Sequence, residues 1–245
     1  MRIELMNCRI DNLSMAETVE TVGRFISGGG SHQHVVVNVD KMVKANRNPE
    51  LLEIINSCDL INADGMPVVW AARFLGRPLK ERVAGVDLFR ALVERAAREG
   101  WRIYFLGARQ EVVSRVVEVF CREFPNLQVC GWRDGYWKPE EEAQVVEEIR
   151  RSRPDILFVA ISSPKKEQFL GQYAREMGIP FSMGVGGSFD VVAGRVRRAP
   201  LWMQKVGLEW FFRFLQEPKR MFRRYFVDDA AFLVLLWREW RKKKE

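Results

Sequence analysis

Several signatures are missing from this 245-residue chain, and each absence removes a class of chemistry. The four cysteines, Cys8, Cys58, Cys121 and Cys130, form no Cys-x-x-Cys pair, and a reducing cytoplasm is the simplest compartment for them. Histidine is nearly absent: His32 and His34 stand two apart at the entrance of a strand with no third ligand type nearby, so they read as surface or packing residues. No Asp-x-Asp occurs, so a carboxylate-held divalent cation is not indicated. Gly107 stands alone and Gly28 to Gly30 precede a strand, so the Gly-x-Gly-x-x-Gly of a dinucleotide site is lacking, as is the Gly-x-Ser-x-Gly of a serine hydrolase. No run reaches the roughly 18 apolar residues that span a bilayer, residues 230–237 being far too short, and the chain start has no signal-peptide core.

What is present suits a globular domain with a basic tail. A chain that is 47% hydrophobic buries a full core as one domain plus an appendage. Residues 1–194 hold 25 Lys and Arg against 26 Asp and Glu, a balance of −1, whereas residues 195–245 hold 14 against 6, or +8. The basicity belongs to the last fifty residues, which should therefore meet nucleic acid, anionic lipid or a phosphorylated substrate.

Strand-like and helix-like segments alternate along the core. The spacing predicts strands over 34–38, 60–62, 101–106, 127–130, 155–160 and 179–183, with helices over 49–57, 66–74, 112–120 and 139–151 and another starting near Pro164. Such alternation predicts an α/β, Rossmann-like, mostly parallel sheet with helices on both faces. Ligands of such sheets sit at the carboxyl ends of the strands, where Asn38, Asp64, Gly107, Ser162 and Gly186 should border one crevice. The domain break falls near Ala193 to Pro200, dividing an α/β core (1–194) from a basic, aromatic helical appendage (195–245).

The stretch from Gly184 to Pro200 holds four glycines that free the backbone, the carboxylate of Asp190, and the cations Arg195, Arg197 and Arg198 at a strand exit. Its glycines, Gly186 and Gly187 among them, suit an anion cradle, or else a plain strand-to-helix turn. Asp64 is placed like an active-site carboxylate beside the open Gly65, although an aspartate there also suits a helix N-cap. In the tail, Arg213, Arg220 and Arg223 would share one face within roughly 80° on a continuous helix, but Pro218 favours a break or a new helix start. Phe232, Leu233, Leu236, Trp237 and Trp240 form a stripe beside cations, fit for an anionic membrane surface or for packing on the core.

The succession Asn38, Asp64-Gly65, Glu81-Arg82-Val-Ala-Gly85, Pro164-Lys-Lys-Glu167, Gly184-Val-Gly-Gly-Ser-Phe-Asp190, Arg198-Ala-Pro200, Gly207-Leu-Glu-Trp210 and Glu217-Pro218 with Arg220 resembles the WecG/TagA/CpsF glycosyltransferases, family 26. The resemblance covers nearly the whole chain. It implies a metal-independent, inverting transfer of a sugar from UDP to a polyprenyl-diphosphate-linked acceptor at the cytoplasmic membrane face, in teichoic-acid or other surface-polysaccharide synthesis. It needs no cofactor, points away from nucleic acid as the partner, and leaves the oligomeric state open, a homo-oligomer included.

By that resemblance Asp64 is the general base, Asn38 and Arg82 line the donor pocket, Gly186, Gly187 and Asp190 border the nucleotide, and Arg213, Arg220 and Arg223 fold over the diphosphate. Two positions depart from the family pattern: Val36 replaces a threonine and Lys166 a glutamine. The departures imply a UDP-sugar donor other than the N-acetylmannosamine type, such as a hexose or a uronic acid, with Lys166 either on an anionic group of the donor or turned outward. The competing readings are a noncatalytic nucleotide or polyanion binder and a nucleotide-sugar epimerase or oxidoreductase, the last opposed by the missing glycine fingerprint.

Overall fold

The computed structural model describes residues 1–222 and 230–242, without the side chains of Lys205 and Arg220. The chain opens with an antiparallel hairpin, β1 (Arg2–Leu5) and β2 (Cys8–Asp11). Met6 and Asn7 turn it, both at positive φ (47° and 64°), as a two-residue hairpin loop requires. Next comes α1 (Met15–Gly28), fixed at its start by a capping box between Ser14 and Glu17.

The alternating core then follows: β3 (His32–Val37), α2 (Val39–Arg47), α3 (Pro49–Ser57), β4 (Leu60–Ala63), α4 (Met66–Phe74) and α5 (Gly85–Glu99). It continues through β5 (Arg102–Gly107), α6 (Gln110–Glu123), β6 (Gln128–Arg133), α7 (Glu142–Ser152), β7 (Ile156–Ala160), α8 (Lys165–Met177), β8 (Phe181–Gly184) and α9 (Ser188–Val192). Four helices close the described chain: α10 (Leu201–Lys205), α11 (Glu209–Gln216), α12 (Pro218–Phe222) and α13 (Ala231–Lys242).

The six strands β3 to β8 form one parallel sheet in the order β4-β3-β8-β7-β5-β6, covered by helices on both faces. The fold is therefore the α/β arrangement that strand and helix alternation predicts. On one face α1, α5, α6 and α9 pack over Phe89, Phe105, Phe120, Phe158 and Phe189, all fully buried, with Phe89 edge-on to Phe158 at 4.6 Å between ring centroids. Each such burial stabilises the fold by about 2–3 kcal/mol, so this face is scaffold.

On the other face, one cluster joins the hairpin, α2, α3, α4 and α13, and another joins α7 and α8. Adjacent strands β3 and β8 thus send their chains to opposite faces, into α2 and α9 respectively. A crevice opens between such strands at their carboxyl ends.

The appendage is not detached. In α13, Phe232 is buried and Leu235, Leu236 and Trp240 pack against the core cluster, while Leu233, Val234 and Trp237 face outward. The predicted apolar stripe therefore divides between core packing and an exposed surface. Arg77 and Glu239 pair at 2.6 Å beside this contact. The chain breaks between α11 and α12 with Pro218 at the new start, where its fixed φ and missing N–H are tolerated.

Candidate active site

Asp64 follows β4 directly, and its backbone N–H donates to Val37 O at 2.9 Å, which locks it beside the end of β3. The N-cap of α4 is Gly65 at φ 106°, with no side-chain cap bond, so Asp64 does not serve its own helix as a cap. Its carboxylate instead accepts from the N–H of Gly85, the first residue of α5. Gly85 sits against the site: a β-carbon on it would be in van der Waals contact with Val36 at 3.4 Å and with Asp64 Oδ2 at 3.8 Å.

By surface area Asp64 is only half-buried, yet the crowding round its carboxyl withdraws it from water. Desolvation raises its pKa above the ordinary 3.8, opposed by the cations Arg82 and Arg213 and reinforced by Glu209. Arg82 comes from the loop before α5 and Arg213 from α11, so core and appendage meet at this carboxylate.

Glu209 makes the junction. Its Oε2 accepts from Arg82 Nη1 at 3.0 Å and its Oε1 from Arg198 Nε at 3.4 Å, while Arg198 grips Asp87 of α5 with both terminal nitrogens. Arg82 and Glu209 are 15% and 14% exposed, enough burial for the pair to be more than a screened surface contact. Glu209 is not among the expected site residues, although it lies inside the Gly207 to Trp210 motif.

A second cluster lies at β8. The stem of Lys166 crosses Gly184, where a β-carbon would be 2.8 Å from its Cδ, and its ammonium ends beside Gly186, which sits at φ 52°. Lys166 is buried and does not turn outward. Glu167 Oε1 lies 2.8 Å from Lys41 Nζ and 3.1 Å from Lys166 Nζ, though the angles leave neither Glu167 oxygen with a well-directed hydrogen bond. Those two lysines hold the Glu167 carboxylate at about 2 against the cost of its burial.

The other expected residues are placed as follows. The Oδ1 of Asn38 accepts from Lys41 N at 2.9 Å and caps α2, on the rim between the two clusters. Gly187 is the N-cap of α9, and Asp190 lies within that short helix. Gly107 ends β5, four strands from β4 and so roughly 19 Å away at ordinary strand spacing. Its lack of a side chain is a packing requirement, since a β-carbon would lie 2.5 Å from the backbone of Ala160. For Arg220 only the backbone, in α12, is described, and Arg223 lies outside the described residues.

Among the described residues no three His, Cys, Asp or Glu side chains gather as metal ligands would. His34 is buried, bonded to Asn62 at 2.9 Å, and its pKa is pushed down to about 4 by desolvation, so it is a neutral packing residue. His32 stacks on Phe25 at 4.0 Å. A separate groove of about 670 Å³ between α3 and α8, lined by Glu50, Glu53, Glu142 and Lys165, is open and holds none of the expected site residues.

A carboxylate of raised pKa between two arginines, at the strand ends of a parallel sheet, fits a group transfer that removes one proton and discharges an anion. The sequence signature of the glycosyl transferase WecG/TagA/CpsF family matches residues 3–245. The chain belongs to this family. Two relatives are both called N-acetylglucosaminyldiphosphoundecaprenol N-acetyl-beta-D-mannosaminyltransferase. That of Bacillus spizizenii (strain W23) is 37% identical over 201 residues, 82% of this chain and 77% of its own length. That of Bacillus subtilis (strain 168) is 35% identical over 208 residues, 85% of this chain and 80% of its own. As a WecG/TagA/CpsF glycosyltransferase the chain is an enzyme, and no helix among its described residues is long and apolar enough to cross a membrane.

Proposed function

We propose that this glycosyltransferase moves a sugar from UDP to an N-acetylglucosamine carried on a polyprenyl diphosphate, in one inverting displacement that uses no metal. The acceptor is taken from the names of the two relatives. The observation that carries the mechanism is Asp64, lifted in pKa by desolvation, bonded to the Gly85 N–H, and flanked by Arg82 and Arg213.

Ionised Asp64 accepts the proton of the acceptor hydroxyl while that oxygen bonds to the anomeric carbon. The bond from that carbon to the β-phosphate oxygen breaks, and its electron pair leaves with UDP. A carboxylate is a stronger base the higher its pKa, so desolvation serves the step. Arg82 and Arg213, joined in this proposal by Arg220 and Arg223, neutralise the charge that grows on the leaving diphosphate. Asn38, Gly186, Gly187 and Asp190 border the donor.

A noncatalytic polyanion binder would need Asp64 only as a helix cap, a place that Gly65 occupies. The reaction is assigned to the cytoplasmic membrane surface, where the protein lies peripherally. In support, Trp70 and Phe74 of α4, Leu201 and Trp202 of α10, and Leu215 of α11 are exposed, next to a tail of net charge +8.

The test is incubation of the full chain with a panel of UDP-sugars and a polyprenyl-diphosphate-linked N-acetylglucosamine, with and without chelator, followed by product mass. One donor should yield a disaccharide-lipid product at a rate the chelator leaves unchanged. Chelator-sensitive turnover would remove the metal-free mechanism, and absence of product with every donor would remove the reaction.

A further inference from the structure

The buried charges at the end of β8 do not balance. Lys41 and Lys166 share the single carboxylate of Glu167, and the three residues are 6%, 7% and 2% exposed. One positive charge is therefore left over in a place largely closed to water, an arrangement that is costly unless an anion completes it.

Among the described residues the ion pairs of Lys41 and Lys166 are both to Glu167. Besides Glu167 on its own helix, the charged groups that face Lys166 are Lys41 and Lys44 of α2, both cations, the second paired with Asp40. His34 of β3 and Cys58 beyond α3 also feel Lys41; burial keeps the first neutral and pushes the thiol up to about 12. The Lys166 ammonium lies 4.0 Å from the position of a β-carbon on Gly186, in the glycine loop at the carboxyl end of β8 and beside the crevice.

We propose that Lys166, with Lys41 held in place by Glu167, is an oxyanion subsite of the donor pocket, separate from the arginines around Asp64. The oxyanion is either a carboxylate on the transferred sugar or the diphosphate of the nucleotide. The inference rests on the UDP-sugar reading above and deepens it by naming a charged group that the donor must present.

The subsite is linked to protons. Burial, then Lys41, lowers the Lys166 pKa to about 8, so above that pH the empty site has lost its charge. An anion bound there restores the ammonium, and binding near pH 8.5 takes up a proton at Nζ.

Calorimetry on the full chain tests this without turnover, using UDP, a UDP-N-acetylhexosamine and a UDP-N-acetylhexosaminuronate in buffers of different ionisation enthalpy. Wild-type protein is expected to take up a fraction of a proton near pH 8.5 and less near neutrality. Lys166→Gln is expected to lose that uptake and to weaken binding about ten- to hundredfold. Loss confined to the uronate assigns the oxyanion to the sugar carboxylate, and equal loss for all three assigns it to the diphosphate.

Unchanged affinities and unchanged uptake in Lys166→Gln would overturn the subsite while leaving the donor reading intact. If wild-type protein bound no UDP compound, the donor reading would fail and the subsite with it. Should Lys166→Gln not fold, Lys166→Met, which keeps the apolar stem over Gly184, serves in its place, and unchanged affinities in that variant contradict the proposal.

Discussion

Asp64 is governed by opposed local forces, and their signs can be tested one at a time. Desolvation holds its pKa above 3.8, and Arg82 is the largest influence in the other direction. A base must be ionised to accept a proton, so kcat/KM should rise with pH as Asp64 ionises and flatten above it. Arg82→Met removes the main opposing charge and frees Glu209, which pushes the same way as burial. The midpoint of the rising limb should therefore move to higher pH in this variant; a midpoint that stays or falls would show that Arg82 does not face the base.

Among the elements, α11 decides how much of the appendage reaches the site. Arg82 and Glu209 are 127 residues apart in sequence, and no local pattern foretells that pair. With Glu209→Gln the two arginines lose their shared carboxylate, and α11 should loosen. Hydrogen exchange over 209–216 is expected to quicken while the sheet stays protected, with kcat falling as Arg213 drifts from Asp64. Unchanged exchange would mean that α11 is held by its apolar contacts instead.

Elements with local punctuation were legible in the sequence. The helices Pro49–Ser57 and Met66–Phe74 fall where they were expected, because a proline in the first turn fixes each start. The hairpin over 2–11 is not among the expected strands because its strands are only four residues each and its turn has no glycine. Helix α1 is not among the expected helices although Ser14 and Glu17 spell a capping box. At the site, Asp64 and Lys166 were legible as residues. Their partners Glu209, Lys41 and Gly85 were not placed beside them, since those contacts arise from strand order rather than from sequence neighbours.

Taken whole, the molecule exposes most of its large apolar side chains on α4, α10, α11 and α13, with Trp132 and Tyr136 apart from them at the β6 edge of the sheet. Gly207, in the turn between α10 and α11, packs against Met66 and Trp70 of α4, and Phe74 meets Trp240 of α13 at 6.4 Å. The exposed Trp70, Phe74, Trp202, Leu215 and Trp237 therefore belong to helices linked through α4, the helix that starts directly after Asp64 and Gly65. Such a surface suits a substrate whose lipid stays in the bilayer. Vesicles containing anionic phospholipid should pull down the wild-type chain, and Trp202→Glu with Leu215→Glu should weaken binding by about tenfold or more. Equal binding by the double variant would move the membrane contact elsewhere. Phe232 is buried against the core, so deleting the tail would also uncover core surface, and point changes are the cleaner test.

The central claim is that one desolvated carboxylate removes the acceptor proton. Asp64→Asn keeps the shape of the side chain and removes its basicity, so the direct measurement is its turnover beside its affinity for UDP. Turnover should fall about 10²- to 10⁴-fold with UDP affinity nearly unchanged. Near-normal turnover in that variant would contradict the account.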